Sequence, residues 1–263
     1  MTATDKMLAR KAGRVGTMIF NNPERHNAVS LKMWEAATSI LEDFARDDDV
    51  RVVVITGAGG KAFVSGADIS KFESERATQE AVAHYGAISA RFHTTLCDFP
   101  KPTLAQIQGY CIGGGLNLAI ACDLRFCSEG SRFALPAAKL GLGYGHKGLQ
   151  RFVHTIGPAH TKDIFFSARQ FGAGEALAMG VVNKVLPEAD LAAFVADYTN
   201  TIANNAPLTV AAIKQAAIET LKPEAERNLK LVEEMVARCF ASHDYIEGRT
   251  AFTQKRKPVF TGR

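Results

Sequence analysis

Three consecutive glycines at positions 113–115 lie between an apolar segment and a run of good helix formers. Residues 103–112 are predicted to form a strand, and residues 116–121 to continue as a helix. A strand that turns on glycine into a helix presents unpaired backbone N–H groups at the positive end of the helix dipole. Without side chains, the turn lets a ligand atom approach those groups. Such a site suits a phosphate or an enolate oxygen, although a glycine turn also serves close packing of a helix on a strand.

A second turn of small residues, Ser65-Gly66-Ala67, follows the strand-like segment 61–64 and precedes a helix-prone segment. It also exposes backbone N–H groups. Two such turns in one chain predict two backbone donors that converge on one oxygen. A single donor of this kind stabilises an enolate or a tetrahedral oxyanion by about 3–4 kcal/mol.

A third glycine-rich turn, at residues 57–61, follows a strand and resembles a nucleotide-binding loop. The dinucleotide fingerprint requires glycine where Ala62 stands, and the phosphate-binding P-loop requires glycine where Ile55 stands. Both patterns fail, so this turn does not predict a nucleotide-binding fold.

Few side chains near these turns are able to transfer protons. His146 lies in a glycine-rich loop, and because histidine exchanges protons near neutral pH it is a candidate acid–base group. Tyr144 in the same loop is either a site residue or part of its wall. Asp68 is either a site carboxylate or a residue that orders the second turn. Three more polar residues are expected to lie on helix surfaces or to serve as a cap or ion-pair partner: His84, His93 and Asp123.

The elements that must position these residues alternate between strand and helix. Strands are predicted at 14–20, 50–56 and 124–128, and a helix capped by Ser30 is predicted at 31–46. The β-branched run at 50–56 is typical of a strand buried on both faces. The alternation continues to about residue 186 and indicates the α/β class. Three helical patterns follow without an intervening strand: 191–203, 207–221 and 223–241. The apolar stripe of the last suits either the core or an oligomer interface.

Composition excludes several classes of function. The chain has 263 residues, 47% of them hydrophobic and 22% charged, as in an ordinary globular protein. Its net charge of +4 is not clustered as in nucleic-acid-binding proteins, and no apolar run reaches the roughly 18–20 residues of a membrane helix. Five cysteines without a C-x-x-C pair predict neither disulfides nor a metal site. We expect a cytoplasmic protein that binds neither nucleic acid nor membranes.

Five segments, taken together and in this order, resemble the crotonase (enoyl-CoA hydratase/isomerase) superfamily over nearly the whole chain. They are residues 22–28 (NPERHNA), 52–69 (VVVITGAGGKAFVSGADI), 109–123 (GYCIGGGLNLAIACD), 133–143 (FALPAAKLGLG) and 251–260 (AFTQKRKPVF). The resemblance implies a repeated ββα spiral domain at about 1–195 and a helical trimerisation region at 196–263. It also implies a homotrimer or a dimer of trimers. The ligand it implies is an acyl-CoA thioester, with coenzyme A as part of the substrate and no further cofactor.

The resemblance also assigns roles to individual residues. It implies that the backbone N–H groups of Ala67 and Gly114 hold the thioester oxygen, in agreement with the two glycine turns. The remaining residues that it places along the substrate, some of them reaching CoA from a neighbouring subunit, are Arg25, Ala28, Asp68, Ile69, Gly113, Ala137, Phe252 and Lys255.

The chain departs from the family's hydratases at both acid–base positions. Those enzymes carry one glutamate where this chain has Asn117 and another where it has Ala137. Asparagine positions water but does not take up a proton at neutral pH, and alanine does neither. Gly145 stands where dienoyl isomerases and dehalogenases carry an aspartate. Tyr144 matches a tyrosine of methylmalonyl-CoA decarboxylases, although those carry histidine where this chain has Ala67.

Several functions therefore stay open. Hydration of a 2-enoyl-CoA is the family's default reaction. Decarboxylation of a malonyl-type CoA needs no general base, only an enolate site, a desolvating pocket and a proton donor. Thioester hydrolysis with water positioned by Asn117 and acyl-CoA binding without turnover are the other two hypotheses.

Overall fold

A computed structural model describes residues 4–68, 71 and 77–263. The predicted role of Ile69 lies outside the described residues. The strands are β1 (Met7–Ala12), β2 (Val15–Phe20), β3 (Val52–Gly57), β4 (Ala62–Val64), β5 (Thr103–Ile107), β6 (Tyr110–Ile112), β7 (Leu124–Ser128), β8 (Arg132–Ala134), β9 (Gln170–Gly172) and β10 (Lys184–Leu186). The α-helices are α1 (Leu31–Arg46), α2 (Gln79–Cys97), α3 (Gly114–Ala121), α4 (His146–Ser167), α5 (Ala173–Ala178), α6 (Glu188–Asn204), α7 (Pro207–Thr220), α8 (Leu229–Phe240) and α9 (His243–Thr253).

The described strands form two sheets that the chain visits in turn. One sheet has the order β1-β2-β3-β5-β7-β10 and is parallel except for the β1–β2 pair. The other has the order β4-β6-β8-β9, with only β9 antiparallel to its neighbour. In three successive repeats, one strand enters the first sheet, the next enters the second, and a helix follows. This arrangement confirms the predicted α/β class with repeated ββα units.

The β-branched strand β3 is buried on both faces, as its sequence predicted. Val53 and Ile55 belong to the main core, which contains the aromatic side chains of Trp34 and Phe92. Val52 and Val54 point to the opposite face, where they join a second cluster that includes Leu191 of α6. Because alternate residues of a strand face opposite sides, a continuous apolar run is required when both sides are covered.

The prediction of one strand over 103–112 is wrong. The segment forms β5 in the first sheet and β6 in the second, separated by Gln108 and Gly109. Gly109 has φ +70°, and a Cβ there would lie 2.0 Å from the Lys61 carbonyl oxygen. Apolar residues stand on both sides of the break, so the pattern does not reveal where the chain passes between sheets.

Two helices were not predicted. The sequence of α4 begins with glycine-rich residues and contains Gly157, at φ +75°, followed by Pro158. These features are typical of loops rather than of a helix. Helix α9 lies in the segment read as a C-terminal tail, and it lacks a continuous apolar stripe. In both cases tertiary contacts, rather than the local pattern, determine the helix.

The C-terminal part is helical, as predicted. The proposed domain boundary between residues 195 and 196 falls inside α6, which packs Leu191 and Val195 against the first sheet. A boundary after Asn204 would keep this helix intact. Within the described residues, no helix has both the length and the apolar composition needed to cross a membrane.

Candidate active site

The two small-residue turns predicted to cooperate lie next to each other. Gly66 has φ +104°, and a Cβ placed on it would lie 3.8 Å from the backbone nitrogen of Gly114 and 3.3 Å from the Ile112 carbonyl oxygen. A Cβ on Gly114 would lie 3.8 Å from the Cα of Gly66. The fold therefore brings the start of α3 against the turn that follows β4.

The three glycines at 113–115 serve different purposes. A Cβ on Gly115 would lie 2.0 Å from the Val64 carbonyl oxygen, so this glycine permits α3 to pack closely on β4. Gly113 has φ +56°, which favours glycine, and its N–H donates to the Ala134 carbonyl at 2.8 Å. A Cβ on Gly114 would have the Cα of Gly66 as its nearest neighbour, at 3.8 Å. Close packing thus explains Gly115, whereas it does not explain the middle glycine, Gly114.

The backbone N–H groups of Ala67 and Gly114 are available to a ligand. Gly114 is the first residue of α3, where N–H groups have no partner within the helix. Ala67 pairs with Val29 in an isolated parallel bridge, in which the neighbouring residues Gly66 and Asp68 make both hydrogen bonds. The N–H of Ala67 consequently points away from Val29. Neither N–H donates to another described residue.

The segment at 25–29, which contains the expected substrate-binding residues Arg25 and Ala28, lies against the second turn. The Ser65 N–H donates to the His26 carbonyl at 3.1 Å, beside the Val29–Ala67 bridge. Ala28 is buried, and the exposed Arg25 guanidinium lies 4.0 Å from the buried Asp68 carboxylate. The Asp68 N–H donates to the Val29 carbonyl, so this residue also orders the turn.

Asn117 lies at the centre of a hydrogen-bonded network that joins three helices. Its Nδ2 is 2.9 Å from Nε2 of His93 on α2, and its Oδ1 accepts from Nη2 of Arg151 on α4 at 3.1 Å. Nδ1 of His93 lies 2.8 Å from the Ser89 carbonyl oxygen. A carbonyl only accepts, so Nδ1 carries the proton of a neutral ring and Nε2 accepts from Asn117. The orientation of the Asn117 amide follows from these contacts.

The prediction that His93 lies on a helix surface is wrong. Its side chain is buried between Trp34 and Phe92, with ring centroids 5.4 Å from each. Burial lowers the pKa of His93 to about 4, and nearby Arg151 acts in the same direction. A neutral imidazole is the form that the network requires. His84, on the same helix, is exposed as predicted.

Tyr144 packs beside this network. Its ring contacts Phe165 edge-on at 4.8 Å between centroids, and burial raises its pKa to about 12 although Arg151 opposes the rise. The phenol is therefore protonated at neutral pH and is able to donate a hydrogen bond.

Comparison with known proteins gives the context of this geometry. The family model described as "Enoyl-CoA hydratase/isomerase" matches residues 10–263. The chain belongs to the enoyl-CoA hydratase/isomerase family. It is 32% identical to the short-chain-enoyl-CoA hydratase of Clostridium acetobutylicum, over 96% of this chain and 96% of that protein. It is 34% identical to the carnitinyl-CoA dehydratase of Proteus mirabilis, over 95% of this chain and 96% of that protein.

A solved structure confirms the crotonase fold. The crystal structure of an enoyl-CoA hydratase/carnithine racemase from Magnetospirillum magneticum superimposes with a TM-score of 0.94 at 34% identity, covering 99% of this chain and 97% of that one. Membership of the family makes the chain a lyase-type acyl-CoA enzyme.

The family's second glutamate position is occupied by Ala137, which is buried next to the glycine turn. A Cβ on Gly113 would lie 4.0 Å from Cδ of Pro136, the residue before Ala137. Alanine at this position supplies neither an acid nor a base. Together with Asn117, it leaves the site without a carboxylate at either of these two positions.

The remaining candidates lie farther from the turns or have other contacts. His146 is exposed at the start of α4. Phe252 and Lys255 are exposed at the end of the C-terminal region, where Phe252 lines a groove with Phe240 and Tyr245. The structural role predicted for Asp123 is confirmed, because its carboxylate accepts from the Thr103 N–H at 2.7 Å and from Lys214 at 2.8 Å.

Sequence reasoning missed His93 and Arg151. They lie 24 and 34 residues from Asn117 in the chain, on helices whose relative placement no local pattern specifies.

Proposed function

We propose that this chain is an acyl-CoA lyase that acts through a thioester enolate held by the backbone N–H groups of Ala67 and Gly114. The observation that carries the proposal is the meeting of the two turns, with an unused N–H in each. Two preorganised donors lower the energy of an enolate oxygen without any side-chain rearrangement. The names of the relatives support a CoA thioester as the ligand and addition or removal of water as the reaction.

A second reaction within the same chemistry is favoured by a specific observation. Asn117 is held between a neutral histidine and an arginine, and Ala137 cannot act as an acid or base. Decarboxylation of a malonyl-type CoA also passes through the enolate but needs no base. The protonated Tyr144 would then supply the proton that replaces CO₂.

One set of assays separates these reactions. Purified protein is mixed with crotonyl-CoA while the enoyl-thioester absorbance is followed, and with methylmalonyl-CoA while CO₂ release and free thiol are followed. Loss of the enoyl absorbance without release of free thiol indicates hydration, because thioester hydrolysis also removes this absorbance. CO₂ indicates decarboxylation, and free thiol without CO₂ indicates thioester hydrolysis. Binding of both thioesters without any of these signals would reject turnover and leave an acyl-CoA-binding protein.

We also propose that the C-terminal helices assemble copies of this chain into a trimer or hexamer. A groove of about 650 Å³ lies among α7, α8 and α9, and its lining is mostly apolar. Five exposed side chains at this groove are large and hydrophobic: Ile213, Val236, Phe240, Tyr245 and Phe252. Apolar surface of this extent is stabilised when another subunit covers it.

Sedimentation velocity tests the assembly. Wild-type protein is expected to sediment as a trimer or hexamer. The Phe252→Asp variant is expected to shift toward monomer, because the aspartate would bury a charge in the interface. Phe166→Asp is the matched control, since Phe166 is 77% exposed but lies outside the groove. Monomeric wild-type protein at micromolar concentration would contradict the proposal.

A further inference from the structure

Arg151 differs from the buried Arg125 and the half-buried Arg51 in how its guanidinium is satisfied. The buried Arg125 donates to the carbonyls of Val181 and Cys122, both at 2.7 Å, and Arg51 donates to those of Ala203 and Phe260. Arg151 makes one side-chain hydrogen bond to a described residue, from Nη2 to Asn117. Its Nε is enclosed without an acceptor. Among the buried side-chain nitrogen and oxygen atoms of the described residues, Nε of Arg151 is the one without a hydrogen-bond partner.

The surroundings do not neutralise the charge. Arg151 forms no ion pair with another described residue, and its hydrogen-bond partner is a neutral amide. His93 on the far side of that amide is neutral, and Tyr144 keeps its proton. Holding a cation partly out of water without a counter-charge is unfavourable. The cost is offset when a ligand brings the missing negative charge.

The guanidinium lies beside Asn117 in the first turn of α3, the helix that begins at Gly114. Nη2 of Arg151 donates a hydrogen bond to the Asn117 side chain. The backbone N–H of Asn117 donates to the Gly113 carbonyl at the start of α3. Arg151 is half-buried, and the same amide contact fixes the position of its guanidinium. A fixed guanidinium is well matched to a carboxylate, because it offers planar N–H groups to two oxygens.

We propose that Arg151 binds a carboxylate carried by the acyl group of the substrate, so that this enzyme acts on acyl-CoA thioesters of dicarboxylic acids. The inference rests on the proposed acyl-CoA function and narrows its substrate class. The same charge disfavours an acyl group that ends in a quaternary ammonium.

Calorimetric binding of matched thioesters tests the inference. Glutaryl-CoA, pentanoyl-CoA and 4-(trimethylammonio)butanoyl-CoA share a three-methylene acyl chain and end in a carboxylate, a methyl and a cation. Succinyl-CoA and butanoyl-CoA form the pair that is one methylene shorter. For at least one chain length, the thioester that ends in a carboxylate is expected to bind roughly tenfold tighter than the one that ends in a methyl. The cationic thioester is expected to bind weakest of the three-methylene set.

Arg151→Gln should abolish this preference, and a urea unfolding curve like that of the wild type shows that the variant is folded. Arg151→Lys should retain part of the preference. Lys162→Gln is the matched control, because it removes an exposed charge from the same helix and should change nothing.

The outcomes distinguish the two proposals. If the neutral thioesters bind but the carboxylates bind no tighter at either length, or if Arg151→Gln keeps the preference, the carboxylate subsite is wrong and the acyl-CoA function stands. If none of the thioesters binds, both proposals fail.

Discussion

The candidate site has two halves that are built in different ways. One consists of backbone, at the turns around Gly66 and Gly114, and matches the pattern of the enoyl-CoA hydratase/isomerase family. The other consists of the side chains of Asn117, Ala137 and Arg151, and two of these, Asn117 and Ala137, stand where the resemblance places glutamates in the family's hydratases. The fold thus fixes the first half, whereas the second varies independently.

The difference has a physical cause. Gly115 is required by the close contact between α3 and β4, which any side chain would disrupt, and this contact places the neighbouring Gly114 N–H beside the second turn. Side chains at 117 and 151 project from helices that other contacts already hold, so they are replaceable without loss of the fold. Fold-level similarity therefore indicates the ligand class better than the reaction.

The largest expected effect belongs to the packing glycine of the backbone half. Gly115→Ala places a methyl 2.0 Å from the Val64 carbonyl oxygen, in a buried strand that cannot shift easily. We expect a loss of about 4 kcal/mol or more in the free energy of unfolding, measured by urea denaturation. Gly114→Ala is the control, because its methyl would lie no closer than 3.8 Å to a neighbouring atom. Its free energy of unfolding should differ from that of the wild type by no more than about 1 kcal/mol. Equal stability of the two variants would contradict the assignment of separate roles.

Replacing Gly114, the glycine proposed to bind the thioester oxygen, should reduce turnover rather than stability. Gly114→Pro removes the N–H at the first position of α3, where proline is otherwise tolerated. Turnover of the active substrate should fall by about 10²–10³-fold, as for loss of one oxyanion donor. Gly114→Ala keeps the N–H and should retain most of the activity. Full activity in the proline variant, with an unchanged unfolding curve, would show that this N–H does not hold the thioester oxygen.

Much of this division could be predicted from the sequence. The alternating elements, the helix at 31–46 and both glycine turns follow from local patterns, because glycine and apolar periodicity act within a few residues. The break between β5 and β6 did not follow, since both strands are equally apolar.

The side-chain half was predicted only in part. Asn117 and Ala137 could be identified by their distance from a glycine or proline motif. His93 and Arg151 could not, because their meeting depends on the packing of α2 and α4 against α3. A histidine in a polar helix sequence resembles a surface residue until the buried aromatic ring next to it is known.

The smallest expected effect concerns the orientation of Asn117 and appears as a dependence on pH. Because burial lowers the pKa of His93 to about 4 from 6.5, the unfolded chain binds a proton between these values that the folded chain does not. The free energy of unfolding therefore falls as the pH falls from 6.5, by up to about 3 kcal/mol near pH 4. Above pH 6.5 this contribution is constant.

His93→Gln should remove that component, so that urea denaturation at pH 7 and pH 4.5 differs by less in the variant than in wild type. His84→Gln, on the exposed side of the same helix, should keep the wild-type dependence. An unchanged pH dependence in His93→Gln would mean that His93 takes up its proton without cost to the fold. In that case the neutral His93 ring would not orient the Asn117 amide. The contact between Asn117 Oδ1 and Arg151 would then need another explanation.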